Sequence, residues 1–296
     1  MSDAFLHCQE QVRAHDPERF AAALFADPAH RPALMALYAF HLELVRVREV
    51  VRDPMPGEIR LQWWRDLLQG IGHGDVHGHP VADALLQTVE HYRLPRAPLV
   101  AMTEARVFDL YDDPMPDLGT FEGYAGETHG ALFQIAALVL ADGADPGTGT
   151  LAGHAGVAEA IVAVIRALPH HLARAQVYLP GDVLERHGTT PSGILSNRDD
   201  PGLKAVVGEL AAHATHHLER ASEAGATVPA RVAPAFLTLS LVPPALAKIR
   251  AAGYEPWSSD PTPPRMATLW RLWRAARRMR AAGKSGSVPI STVTRI

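Results

Sequence analysis

The chain has 296 residues, 47% of them hydrophobic and 20% charged, a globular balance that excludes disordered and fibrous classes and suffices for one large core or two ordinary ones. Lys and Arg number 28 against 32 Asp and Glu, and the resulting charge of −4 gives no electrostatic case for nucleic acid as a partner. Cys8 is the sole cysteine, which excludes an intramolecular disulfide and cysteine-based zinc sites and points to a reducing compartment.

Helical periodicity runs through the sequence, with Ala, Leu, Arg and Glu filling stretches that Pro and Gly clusters separate. Helices are predicted over 3–26, 31–52, 57–71, 80–93, 96–110, 119–141, 150–170, 202–224, 231–251 and 264–282. No stretch reads as a strand. Asp3 and Glu10 interrupt any basic or apolar leader pattern, so neither a secretion signal nor a transit peptide is expected. Pro54 and Pro56 end the second helix, Pro114 and Pro116 end the fifth, and 181–201 reads as a long polar connection. Asp109, Asp113 and Asp117 are spaced by four, but the prolines break any common helix face, so a solvated loop is expected. The longest uncharged apolar runs, 128–141 and 232–247, are shorter than the roughly 18–20 residues of a membrane span, so a soluble, cytoplasmic chain is expected. The expectation is an all-α single domain over 1–284, followed by a flexible or docking tail over 285–296 that is rich in Ser and Thr.

Two segments carry the most chemical information. The first runs from Ala36-Leu37-Tyr38-Ala39-Phe40 through Glu43, Arg46, Arg48 and Glu49 to Gly57-Glu58-Ile59-Arg60-Leu61-Gln62-Trp63-Trp64. The second is Arg166-Ala167-Leu168-Pro169-His170-His171, followed by Tyr178-Leu179-Pro180. In order and spacing, over roughly residues 5–250, they resemble the squalene and phytoene synthase family. The resemblance implies an isoprenoid-synthase-type helical bundle around a central cavity. It also implies head-to-head joining of two prenyl diphosphates, with Mg²⁺ held between two Asp-x-x-x-Asp motifs. Residues i and i+4 share one helix face, and Mg²⁺ prefers carboxylate oxygens.

This sequence departs from that pattern. Counted from Tyr38, the first motif falls on Val45 and Glu49, with Arg46 where an additional aspartate often stands. Counted from Arg166 and Tyr178, the second falls on Ala167 and His171. Val45 and Ala167 cannot ligate a metal and Arg46 would repel one, so no catalytic residue, metal or cofactor is expected. Mg²⁺ enters only with the alternative, an active prenyl diphosphate transferase using a relocated site. The same positions, with Val228-Pro229 and Pro234-Ala235-Phe236-Leu237, resemble the branch containing the mitochondrial respiratory complex I assembly factor related to phytoene synthases. That resemblance implies a non-catalytic assembly or lipid-binding role. It brings with it an isoprenoid or anionic lipid ligand, a respiratory-complex subunit as partner, and a place peripheral to the inner membrane.

On this reading the helices bearing Val45 and Glu49, and Ala167 and His171, face each other across the cavity with those side chains largely buried. Arg46, Arg48 and Arg52 either hold an anionic headgroup there, together with Arg166, or form ion pairs with Glu49 or Glu58. Tyr38 and Trp64, with Phe40 and Trp63, either wall a prenyl pocket or are plain core. His170 and His171 occupy the second motif's location, near Tyr178, where a neutral imidazole offers acid/base or phosphate-donor chemistry. His213, His216 and His217 have a zinc-like spacing, but with no Cys nearby and no Glu in a His-Glu-x-x-His place they read as a polar helix face. His73, His77 and His79 read as a surface loop.

Residues 265–284 carry seven basic side chains and no acidic ones: Arg265, Arg271, Arg274, Arg277, Arg278, Arg280 and Lys284. Trp270 and Trp273 interleave with them, so this helix suits an anionic membrane surface, and a final core helix with a basic outer face is the other reading.

Overall fold

A computed structural model describes residues 2–51, 53–71, 78–111, 113–197, 200–251, 254–257, 261 and 264–295. The fifteen α-helices among them are α1 Asp3–His15, α2 Pro17–Ala23, α3 Arg31–Val50, α4 Pro54–Gln69, α5 Pro80–Tyr92, α6 Arg96–Ala105, α7 Leu118–Ala125, α8 Ala131–Leu140, α9 Gly149–Ala173, α10 Gly181–Arg186, α11 Pro191–Ser196, α12 Pro201–Ala224, α13 Val242–Ile249, α14 Arg265–Ala282 and α15 Ser291–Thr294. Arg52, His73 and His77 lie outside the described residues.

Local chemistry sets the boundaries. The predicted 3–26 helix divides because the Asp16 carboxylate caps α2, accepting from the Arg19 amide at 2.9 Å, with Pro17 in the first turn. Pro54 begins α4 instead of merely ending α3, since a first-turn proline has no helical hydrogen bond to lose. The 181–201 connection contains α10 and α11, the second capped by the Thr190 hydroxyl, which accepts from the Gly193 amide. Pro234 lies within a 3₁₀ segment, Ala233–Leu241, ahead of α13, so the predicted 231–251 helix is two elements.

α9 is the central helix, packed against α8 on one side and α12 on another. Its length and a mean hydropathy of 1.6 would let it cross a membrane on composition alone, although 61% of that apolar window is buried within the bundle. Glu159 and Arg166 lie within the helix, each in an ion pair with α2. Between α7 and α8 a five-residue π turn, Gly126–Gly130, presses its backbone onto α9, where a Cβ on Gly156 would collide with the Gly130 amide nitrogen. This contact fixes His129 over α9.

The final residues are a correction to the expected tail. Ser287–Val288 (β2) pairs antiparallel with Val228–Pro229 (β1), and Val288, Ile290 and Val293 are buried, so the segment closes over the bundle. The strands are only two residues each and the partner lies some sixty positions earlier, which leaves no local period to read.

Candidate functional site

A cavity of ≈ 250 Å³ opens between α3 and α9. From α3 it receives His41, Val45, Arg48 and Glu49, which recur every three or four residues along one face. From α9 come Ala160, Ala163, Val164, Ala167, His170 and His171. The positions counted as metal motifs, Val45 with Glu49 and Ala167 with His171, therefore line one cavity from two helices. Their burial is less than expected, since Glu49 is exposed and the others are half-buried at an open mouth.

α9 continues through Pro169 to Ala173, three residues beyond the prediction. Ala175 then takes a left-handed backbone (φ 58°), reversing the chain so that Gln176 and Tyr178 return to the cavity beside Arg174. The His171 and Tyr178 rings lie 4.6 Å apart. Burial, then His170 and Arg174, pushes His171 down to about 4, so the imidazole is neutral near pH 7.

The opposite wall holds a buried polar cluster absent from the sequence reading. Arg106 Nη1 donates to Asp109 Oδ2 at 3.0 Å and to the Tyr124 hydroxyl at 2.6 Å, while that hydroxyl donates to Asp109 Oδ1 at 2.9 Å. Asp109 is 8% exposed, not the solvated loop residue expected, because the 3₁₀ turn Phe108–Leu110 tucks it against Arg106; Asp113 and Asp117 are exposed. Burial raises the Tyr124 hydroxyl well above its ordinary value, more than Arg106 opposes it.

His129 and His41 complete the roof, with ring centroids 5.8 Å apart. Beneath them, Glu159 Oε2 accepts from Arg19 Nη2 at 2.8 Å and lies 3.3 Å from His129 Nδ1. Burial opposes ionisation of Glu159, but Arg19 and His129 prevail and hold its carboxyl at about 2. Burial first, then Arg19 and Arg106, pushes both His41 and His129 below the usual imidazole range.

The other sequence candidates lie elsewhere. Arg46 follows Val45 by one residue, about 100° around the helix, and does not line the cavity. Arg166 borders a smaller cavity of ≈ 80 Å³ and pairs with Glu18. Trp64 is 3% exposed and packs edge-on to Phe40 at 5.0 Å, and Tyr38 is 5% exposed, so both are core and not a pocket wall. Glu58 accepts from the Tyr111 hydroxyl. On α14, Leu272, Ala275, Ala276 and Met279 face the core, while Arg265, Trp270 and Trp273 are exposed. The Arg274 guanidinium lies 5.1 Å from the Trp270 ring and that of Arg277 4.9 Å from the Trp273 ring.

The main cavity does not offer Mg²⁺ a ligand set. Its carboxylates are Glu49 at the mouth and Asp109, which Arg106 and Tyr124 already occupy, and the rest of its polar wall is arginine and histidine with Gln176 and Tyr178. Such a wall suits an anion directly, through guanidinium and imidazole N–H groups.

The squalene/phytoene synthase family model matches residues 12–274. Complex I assembly factor 6 from Rattus norvegicus is 30% identical over 253 residues, spanning 86% of this chain and 76% of that protein. Among solved structures, a squalene synthase from Alicyclobacillus acidocaldarius superposes with a TM-score of 0.72 at 21% identity, covering 86% of this chain and 95% of the other. A ligand-bound dehydrosqualene synthase gives 0.75 at 17% identity over 95% and 97%. The all-α bundle, the two motif helices lining one cavity and the match across most of the sequence agree: the chain belongs to the squalene/phytoene synthase family.

Proposed function

We propose that this protein is a non-catalytic squalene/phytoene synthase-like factor that serves the assembly of a complex I-type respiratory enzyme, with the family cavity kept for an anionic isoprenoid or lipid headgroup. The observation that carries the reading is the pair Val45 and Ala167, apolar side chains lining the cavity at two metal-motif positions. Without a carboxylate at either place, this cavity lacks the paired ligands that would gather the Mg²⁺ ions needed to neutralise a departing diphosphate. An active transferase with a relocated site would need acids elsewhere on the wall. Asp109 is held by Arg106 and Tyr124, and Glu49 stands alone at the mouth.

The residues that remain bind and orient. Arg48 and Arg174 supply fixed positive charge, and His170 and His171 supply N–H groups that meet phosphate oxygens without a metal. The basic outer face of α14 would bring the chain to an anionic leaflet of the inner membrane, placing it beside a membrane-embedded client. The relatives named for complex I assembly support the client.

Incubation with farnesyl or geranylgeranyl diphosphate and Mg²⁺ should release no squalene- or phytoene-type product, and removal of the chain from its host should lower the amount of assembled NADH:ubiquinone oxidoreductase. Turnover abolished by Glu49→Ala, or an unchanged level of the complex, would overturn the proposal.

A further inference from the structure

On the far side of α9 from the cavity mouth, three helices bring together side chains that the sequence keeps apart. His213 and His217 stand one turn apart on α12, Glu122 comes from α7 and His154 from α9. Glu122 Oε1 lies 2.6 Å from His213 Nε2 and 3.5 Å from His217 Nε2. His217 Nδ1 in turn lies 3.1 Å from His154 Nδ1. His217 is buried, while Glu122, His213 and His154 are half-buried, so one side of the group opens to solvent.

We infer that Glu122, His213 and His217 form a binding site for a divalent transition-metal ion of the zinc type, with His154 orienting His217 from behind and water at the open position.

The donor set is two imidazoles and a carboxylate, and the three ligand atoms lie within 4.8 Å of one another. Zinc takes such ligands at about 2.0–2.2 Å in tetrahedral geometry, which places ligand atoms roughly 3.3–3.6 Å apart. The His217–Glu122 separation already falls in that range, and His213 must withdraw by less than about 1 Å. Proton positions also fit. Two facing Nδ1 atoms require that one carry hydrogen and the other a lone pair. Without metal, both Nε2–H groups donate to Glu122 and His154 donates to His217. With metal, His213 and His217 shift to the Nδ1–H tautomer, both Nε2 lone pairs turn to the ion, and His217 Nδ1–H donates to His154. No proton need leave the histidines, and the second-shell hydrogen bond is the one that fixes ring orientation in metal sites.

An ion held here would tie α7, α9 and α12 together, and α7 carries Tyr124 of the main cavity only two residues beyond Glu122. No part of this inference depends on the proposed assembly role.

The full-length protein, freed of metal with a chelator and titrated with ZnCl₂ by calorimetry, should take up one ion per chain with a rise in melting temperature. Co²⁺ in its place should give the visible absorption of a low-coordinate nitrogen/oxygen site. His213→Ala should abolish both signals, Glu122→Gln should weaken Zn²⁺ at least tenfold, and His154→Phe should weaken it about 10–100-fold. His216→Ala, on the exposed side of the same helix, should change nothing, and circular dichroism should show each variant folded. Failure of the wild type to bind an ion stoichiometrically, or undiminished binding by folded His213→Ala, would overturn the inference.

Discussion

Arg166 on α9 reaches Glu18 on α2, Nη1 to Oε2 at 3.2 Å, and this pair turns the arginine out of the cavity in which its position in the motif would have placed it. The two side chains are 35% and 24% exposed, so solvent screens much of the attraction. Arg166→Ala should cost about 0.2–1 kcal/mol in urea denaturation and leave pyrophosphate binding unchanged. Arg48→Ala or Arg174→Ala should weaken pyrophosphate binding at least several-fold by calorimetry, since a charged hydrogen bond contributes about 1.5–3 kcal/mol. Equal losses in all three variants would return Arg166 to the site.

The Arg106–Asp109–Tyr124 cluster should behave as a unit. Asp109→Ala leaves a guanidinium only 7% exposed beside a single hydroxyl, and unpaired buried charges of this kind cost about 3–5 kcal/mol. Tyr124→Phe removes the hydroxyl alone and should cost about 1–3 kcal/mol. Chemical denaturation of both single variants and the double should give a double-variant loss smaller than the sum.

Stability should fall on acidification in two stages. His41, His129 and His171 have folded pKa values below the unfolded one, so their contribution is full above about pH 6.5 and is lost as pH falls, in the case of His171 through about 4. Glu159 is lowered from 4.5 to about 2, so its contribution is present above 4.5 and disappears between those values. Thermal melts from pH 7.5 to 2.5 should show both limbs, with His171→Phe flattening the upper and Glu159→Gln the lower. A melting temperature independent of pH between 6.5 and 4 would contradict the first.

The motif register was legible because it depends on spacing along single helices. Counting from Tyr38 and from Arg166 to Tyr178 finds Val45, Glu49, Ala167 and His171, and the fold brings all four to one cavity. Arg106 with Asp109, and Tyr124 with His129, come from two separate stretches, and only tertiary packing brings the two together. Two local signals did exist. His41 is the lone polar residue in the apolar run from Ala33 to Leu42, and Gly126-Glu127-Thr128-His129-Gly130 is a polar, glycine-bounded break in an otherwise helical pattern. Arg46 and Tyr38 illustrate the converse, since a motif supplies position but not the direction in which a side chain points.

The closed C-terminus carries its own test. Ile290 is fully buried beneath Gly225, where an added Cβ would lie 2.5 Å from Ile290 Cγ1. Ile290→Ala should cost about 2–5 kcal/mol, and Gly225→Ala should destabilise through overpacking by about 1–3 kcal/mol. Deletion after Lys284 should lower the melting temperature by more than either change. An unaltered melting curve for the deletion would restore the tail to a flexible role.

Because α14 has a core face, its removal would confound folding with adhesion, and changes confined to its outer face separate them. Trp270 and Trp273 are 52% and 46% exposed, with Arg274 and Arg277 over their rings. Arg274→Glu with Arg277→Glu should abolish salt-sensitive binding to phosphatidylserine vesicles without moving the thermal midpoint by more than a few degrees, since exposed substitutions seldom exceed about 0.5 kcal/mol. Vesicle binding retained by the double variant would remove α14 as the contact surface.

The apolar length of α9 has a consequence for the life of the molecule. What hides the helix is the fold itself, chiefly α12 and the Gly126–Gly130 turn, with α8 beside them. A chain that opens beside a bilayer has a second destination for this segment, the hydrocarbon interior, from which the native packing is no longer reached by simple reversal. Unfolding in free solution and unfolding at a membrane are thus different events, one an equilibrium and the other an exit, and refolding yield should fall as vesicles are added. On the proposed membrane-side role the central helix must stay dressed, and the packing of α12 and of the Gly126–Gly130 turn against it does so.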